Sequence, residues 1–280
     1  PLGPARRGFL KTLASLPLLG LAANPLAAAA PPPAPVPDRS RLRALLLSAT
    51  TNPGQASLEH ARQAMAELYQ DVRDILLINF ASLPQDRDAY AQRIQRDFST
   101  IHERFRVRSL HHYPHREAAR VIREAAAVFV SGGNTFLLLR ELYDRSAVEL
   151  LRERALLGMP YAGSSAGSNI AGLTIGTTND FPITDIPTRR ALGLLPAVFN
   201  PHHPAEDEPE FGGRQWKIRQ HAAYNPDQPV VGVTNPGMLR LEGERVLLVG
   251  RAAAAFVQKG SQATAFTSDS LEGRPLDAAL

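Results

Sequence analysis

Ser165 lies at the centre of Gly163-Ser164-Ser165-Ala166-Gly167, a Gly-x-Ser-x-Gly pattern. Placed between a short apolar run at 160–162 and a small-residue helix at 168–172, this pattern suits nucleophilic acyl transfer. Small neighbours let the chain turn sharply from strand to helix, which lifts the hydroxyl to the positive end of the helix. The amide after the nucleophile, on Ala166, can then donate to an oxyanion. The pentapeptide alone fits an ordinary glycine–serine turn equally well.

A serine nucleophile needs a base, and the base needs a group that holds its tautomer. Of eight histidines, His111, His112 and His115 cluster in a loop without a carboxylate pattern and read as a solvated surface group rather than a metal site. His60, His102 and His221 fall within helical stretches. His202 and His203 remain, in Asn200-Pro201-His202-His203 after the apolar run 194–199. With no cysteine, the chain has no thiol nucleophile, thiolate zinc site or disulfide. Two more segments stand out. Gly132-Gly133-Asn134 reads as a glycine loop whose amides face the same crevice, or as a turn with Asn134 capping a helix. No full Gly-x-Gly-x-x-Gly or Walker pattern accompanies it. The other is Thr177-Thr178-Asn179-Asp180-Phe181-Pro182.

These residues require a frame. Apolar runs at 44–47, 75–78, 107–110 and 127–130 read as buried strands, and 58–72, 89–104 and 116–125 as helices. Two helical segments over 135–156 break near Ser146. The alternation predicts an α/β fold, a mostly parallel central sheet with helices on both faces. Sites in such sheets lie at the carboxyl ends of strands, where both glycine loops fall. Runs at 230–233, 238–241, 246–249 and 254–257, with Gly243-Glu244 as a hairpin turn, predict C-terminal antiparallel strands. The polar segment 259–280 reads as a loose tail.

Arg6-Arg7-Gly8-Phe9-Leu10-Lys11, an apolar stretch at 13–22 and small residues at 26–30 have the three parts of a signal peptide, here of twin-arginine type. The alternative is an amphipathic surface helix or a retained anchor. Pro17 and Pro25 break the stretch, which is too short to span a bilayer. Residues 31–40 read as a proline-rich linker and 41–258 as the folded domain. Export to the periplasm follows, without stable membrane association after cleavage. The net charge of +4 belongs mainly to the leader: without Arg6, Arg7 and Lys11, 28 basic residues face 27 acidic ones. No basic stripe interleaved with aromatics is present, so nucleic acid is not an expected partner.

Four collinear segments together resemble the dipeptidase E family, the α-aspartyl dipeptidases, and the related cyanophycinases. They are Gly132-Gly133-Asn134-Thr135-Phe136, Ser165-Ala166-Gly167-Ser168-Asn169, Thr178-Asn179-Asp180-Phe181-Pro182-Ile183 and Asn200-Pro201-His202. The resemblance implies Ser165 as nucleophile, His202 as base, Asp180 as orienting acid and oxyanion donors at Gly133 and Ala166. It also implies a fold akin to the class I glutamine amidotransferases, no cofactor or metal, and a small peptide substrate. Asn134 is a substrate-binding candidate. Arg214, in Gly212-Gly213-Arg214, is the candidate partner of an aspartyl carboxylate; its alternative is an exposed arginine at a helix start. Two departures from the family pattern are Ser164, where an aromatic is usual, and Val233-Thr234-Asn235-Pro236-Gly237, in place of an acidic-glycine loop. The expected activity is a serine dipeptidase acting on Asp-X through an acyl-enzyme. Its rivals are a cyanophycinase-like or isoaspartyl peptidase on the same scaffold and a non-catalytic periplasmic peptide-binding protein.

Overall fold

The computed structural model describes residues 38–280. The expected signal peptide, and the expected linker up to residue 37, lie outside the described residues.

Strands β1 (Arg43–Leu47), β2 (Asp74–Ile78), β3 (Arg106–Ser109), β4 (Val128–Val130) and β5 (Tyr161–Ser164) form a parallel block in the order β3-β2-β4-β5-β1. Their side chains alternate between two cores, as a pleated strand requires. Ala44, Leu46, Ile78, Val128 and Val130 enter one core, whereas Leu45, Leu47, Ile75, Leu77 and Phe129 enter the other. Helices α1 (Arg62–Leu68) and α2 (Arg87–Ile101) cover the second core, where Phe98 packs edge-on against Phe105 and Phe129. Helices α3 (Ala118–Glu124), α4 (Thr135–Asp144) and α5 (Ala147–Leu156) cover the first. The break between α4 and α5 is at Ser146, whose φ of 51° is left-handed. Strands β1, β2, β4 and β5 are thus buried on both faces, which is why their runs read as continuously apolar; the edge strand β3 is exposed at Arg106 and Arg108.

Helix α6 (Ala166–Asn169) follows β5, and β6 (Val198–Asn200) and α7 (Phe211–Tyr224) come next. The remaining strands are β7 (Val230–Val233), β8 (Met238–Glu242), β9 (Arg245–Lys259) and β10 (Gln262–Pro275). β8 runs antiparallel to β1 and turns at Gly243 into β9. β9 pairs first with β8 and then with β7, which continues the sheet to β6. The runs expected as two strands at 246–249 and 254–257 are therefore stretches of one.

The expected loose tail is corrected. Residues from Gln262 form β10, antiparallel to β9, and Leu276 beyond it is buried in the main core. Most of β10 is solvent-facing, so its composition is polar although its backbone is paired.

Candidate active site

The carboxyl ends of β1, β4, β5 and β6 converge on Ser165. Its φ of 51° and ψ of −112° make the elbow between β5 and α6, and its amide donates to the Leu47 carbonyl at 3.1 Å. A side chain at Gly167 would collide with the Val130 carbonyl, so the tight crossing over β4 requires glycine there. Gly132 lies against the nucleophile: a Cβ on it would stand 3.0 Å from that of Ser165. Gly133 follows with φ +135°, and a Cβ there would sit 2.5 Å from the Ala81 carbonyl oxygen. The amides of Gly133 and Ala166 have no acceptor within the protein among the described residues. They remain available for an anionic oxygen.

His202 Nε2 lies 2.8 Å from Ser165 Oγ. The imidazole is aimed by its backbone: φ is 53°, and the amide donates to Ser48 Oγ at 2.8 Å, at the end of β1. Desolvation by the surrounding protein pushes its pKa below the usual histidine value. The Asn235 hydrogen bond and the negative charge of Asp180 oppose that shift, and the Arg214 charge adds to it. His203 has another fate. Its ring is buried, stacks on Phe256 at 4.8 Å, and bonds through Nδ1 to the Pro204 carbonyl. Desolvation pushes its pKa down to about 4.

Asp180 is not where it was expected. Its carboxylate accepts from the Thr135 amide at 2.7 Å and the Thr135 hydroxyl at 2.5 Å, at the N-terminus of α4, with Thr178 Oγ1 at 3.2 Å. The positive end of that helix and two hydroxyls hold it away from the imidazole. The group facing His202 Nδ1 is Asn235 Oδ1, at 3.3 Å, with Ser48 Oγ a further 2.8 Å away. When Nδ1–H donates to that oxygen, Nε2 turns its lone pair to the serine hydroxyl. Sequence reasoning missed Asn235 as the partner. The signal was the departure at 233–237, where an amide stands in place of an acid.

Asn134 is also reassigned. Its Oδ1 caps α4 by accepting from the Leu137 amide at 3.0 Å, and its Nδ2 donates to the Phe181 carbonyl at 2.9 Å. Both ends of the side chain are in use, and the helix-cap alternative is the observed one. Arg214 sits in the first turn of α7, half-buried, with Nη1 donating to Asn200 Oδ1 at 2.9 Å and to the His202 carbonyl at 3.3 Å. It lines a cavity of about 410 Å³ together with Thr178, Asn179 and Lys217. Ser165 and His202 line a separate cavity of about 430 Å³, to which α2 contributes Tyr90 and Arg93.

A hydroxyl–imidazole pair on a strand-to-helix elbow, at the carboxyl end of a parallel sheet, is the arrangement of a serine hydrolase. The comparisons with known proteins agree. The profile of Peptidase family S51 matches residues 44–249. Peptidase E of Shewanella amazonensis is 37% identical over 222 residues, covering 79% of this chain and 92% of that protein. The Drosophila melanogaster protein called "Probable alpha-aspartyl dipeptidase" is 38% identical over 226 residues, covering 77% and 90%. A crystal structure of a peptidase from an acI-B1 Actinobacterium shares the fold, with a TM-score of 0.59 at 16% identity over 82% of this chain and 96% of that one. The chain belongs to peptidase family S51, a family of serine peptidases.

Proposed function

We propose that the protein hydrolyses dipeptides with an N-terminal aspartate through an acyl-enzyme, with Ser165 as nucleophile. The observation that carries this reading is the 2.8 Å contact between Ser165 Oγ and His202 Nε2 beside two amides without acceptors. His202 takes the hydroxyl proton as Oγ attacks the peptide carbonyl. The amides of Gly133 and Ala166 receive the oxyanion, each well-placed donor contributing roughly 3 kcal/mol in comparable sites. His202 then protonates the leaving amine, and water releases the aspartyl group. Asn235, rather than Asp180, holds the Nδ1–H tautomer. Arg214 is assigned the substrate carboxylate across the wall between the two cavities: its Nη1 reaches the His202 carbonyl at 3.3 Å, while Nε and Nη2 have no acceptor among the described residues. The aspartyl specificity is supported by the names of the relatives.

Ser165→Ala is expected to lower kcat/KM for Asp-Leu by about ten-thousand-fold or more with the fold intact by circular dichroism. Turnover at the original rate would sink the assignment. Assayed beside Asp-Leu, β-Asp-Leu and β-Asp-Arg test the specificity, and preference for either would move the substrate to the isoaspartyl or cyanophycin class. The same proposal places the enzyme in the periplasm, on the strength of Arg6-Arg7 and the apolar stretch after them. Cell fractionation of the wild type and an Arg6→Lys/Arg7→Lys variant tests that; identical distribution would overturn it.

A further inference from the structure

His111 and His112 carry no carboxylate in their own stretch of sequence, but the fold brings them one. Asp88 stands in the first turn of α2, and the two histidines form a single 3₁₀ turn directly after β3. Asp88 Oδ1 lies 3.0 Å from His111 Nε2 and 2.8 Å from His112 Nε2, and all three atoms fall within 4.8 Å of one another. Nitrogen and oxygen ligands bind zinc tetrahedrally at about 2.0–2.1 Å, which puts neighbouring ligand atoms about 3.3 Å apart. The two Asp88 contacts are a few tenths of an ångström shorter, so a small outward shift of the exposed carboxylate admits an ion.

The surroundings are also those of a built site. His111 Nδ1 is 2.6 Å from Ser109 Oγ and 3.2 Å from Asn79 Oδ1. Ser109 Oγ also lies 3.1 Å from the same Asn79 oxygen. Asn79 is fully buried and is itself fixed by Nδ2 donating to the Arg87 carbonyl, one residue before Asp88. In the Nδ1–H tautomer this inner network accepts the Nδ1 proton and leaves the Nε2 lone pair, facing Asp88, for a cation. Metal-bound histidines are characteristically held in this way through their other nitrogen.

We propose that Asp88, His111 and His112 bind one divalent transition-metal ion of the zinc type. Two imidazoles and a carboxylate suit zinc better than magnesium or calcium, which favour all-oxygen sites. Water completes the coordination, because Asp88 and His112 are largely exposed. The ion clips the start of α2 to the end of β3. Since α2 also supplies Tyr90 and Arg93 to the Ser165 cavity, the clip steadies one wall of that cavity without entering the reaction.

The test is calorimetric titration of the untagged, chelator-treated full-length protein with zinc chloride, paired with thermal unfolding with and without zinc. One equivalent is expected to bind, and to raise Tm by linkage. Asp88→Asn and His112→Ala, both at exposed positions, are each expected to weaken binding at least about tenfold and to abolish the zinc-dependent rise in Tm, as is His111→Ala. Their Tm without zinc reports whether each variant folds. Equal zinc affinity in the wild type, Asp88→Asn and His112→Ala would overturn the proposal, as would no binding by the wild type.

Discussion

At the scale of the residue, the neutral partner of the base sets the pH behaviour. The pKa of His202 lies below the usual histidine value because the surrounding protein partly desolvates it. Its neutral, proton-accepting form therefore persists below pH ~6.5, and the acid limb of kcat/KM is expected to lie there. Asn235→Asp places an anion against Nδ1, favours the imidazolium and moves that limb to higher pH. Asn235→Ala removes a neutral hydrogen bond worth about 0.5–1.5 kcal/mol, so kcat/KM is expected to fall about two- to tenfold. A pH–rate profile of the three proteins decides the matter; superimposable acid limbs for the wild type and Asn235→Asp would remove Asn235 from beside the base. Ser165 and Gly133 were legible in the sequence because an elbow and a glycine loop are local features with their own residue pattern. Asn235 was not. It reaches His202 from 33 positions further on, and an amide announces no acid–base role.

At the scale of the element, Asp180 belongs to α4. Its carboxylate binds the Thr135 amide and hydroxyl, while Asn134 caps the same helix and holds the Phe181 carbonyl. The segment around Asp180 is thereby fastened beside Gly133, which begins the turn into α4. Asp180→Ala is expected to cost about 1 kcal/mol in urea unfolding, in line with the loss of a helix-terminal acceptor. Losing the Asp180 charge, which raises the His202 pKa, is expected to move the acid limb slightly to lower pH with kcat/KM little changed, whereas losing an orienting acid would lower kcat/KM by orders of magnitude. The orienting role of Asp180 came with the resemblance carried by Thr178-Asn179-Asp180-Phe181-Pro182-Ile183. A matching segment does not say which positive partner its carboxylate finds first. The strand β10 was lost for a related reason: its stability comes from backbone pairing with β9, and its side chains carry little apolar periodicity. By contrast, β1, β2 and β4 were read closely because burial on both faces leaves continuous apolar runs.

At the scale of the whole molecule, His203 couples stability to pH. It is buried as the neutral ring, with its pKa down at about 4, whereas the unfolded chain binds the proton near 6.5. The unfolded state holds more protons between those values, so stability is full above about pH 6.5 and falls as pH drops toward 4. The urea midpoint of His203→Gln is expected to fall less steeply over that window than that of the wild type; parallel curves would remove His203 as a source. The elbow at Ser165 also bears on stability. A serine at φ 51° and ψ −112° occupies a conformation that costs about 1–3 kcal/mol, and an alanine there bears the same strain. Glycine relieves it, less about 0.5–1 kcal/mol for its looser unfolded chain. Ser165→Gly is therefore expected to unfold at a higher urea concentration than Ser165→Ala, though both lack the hydroxyl. The nucleophile is therefore held at a cost in stability that glycine would recover and that only the reaction requires.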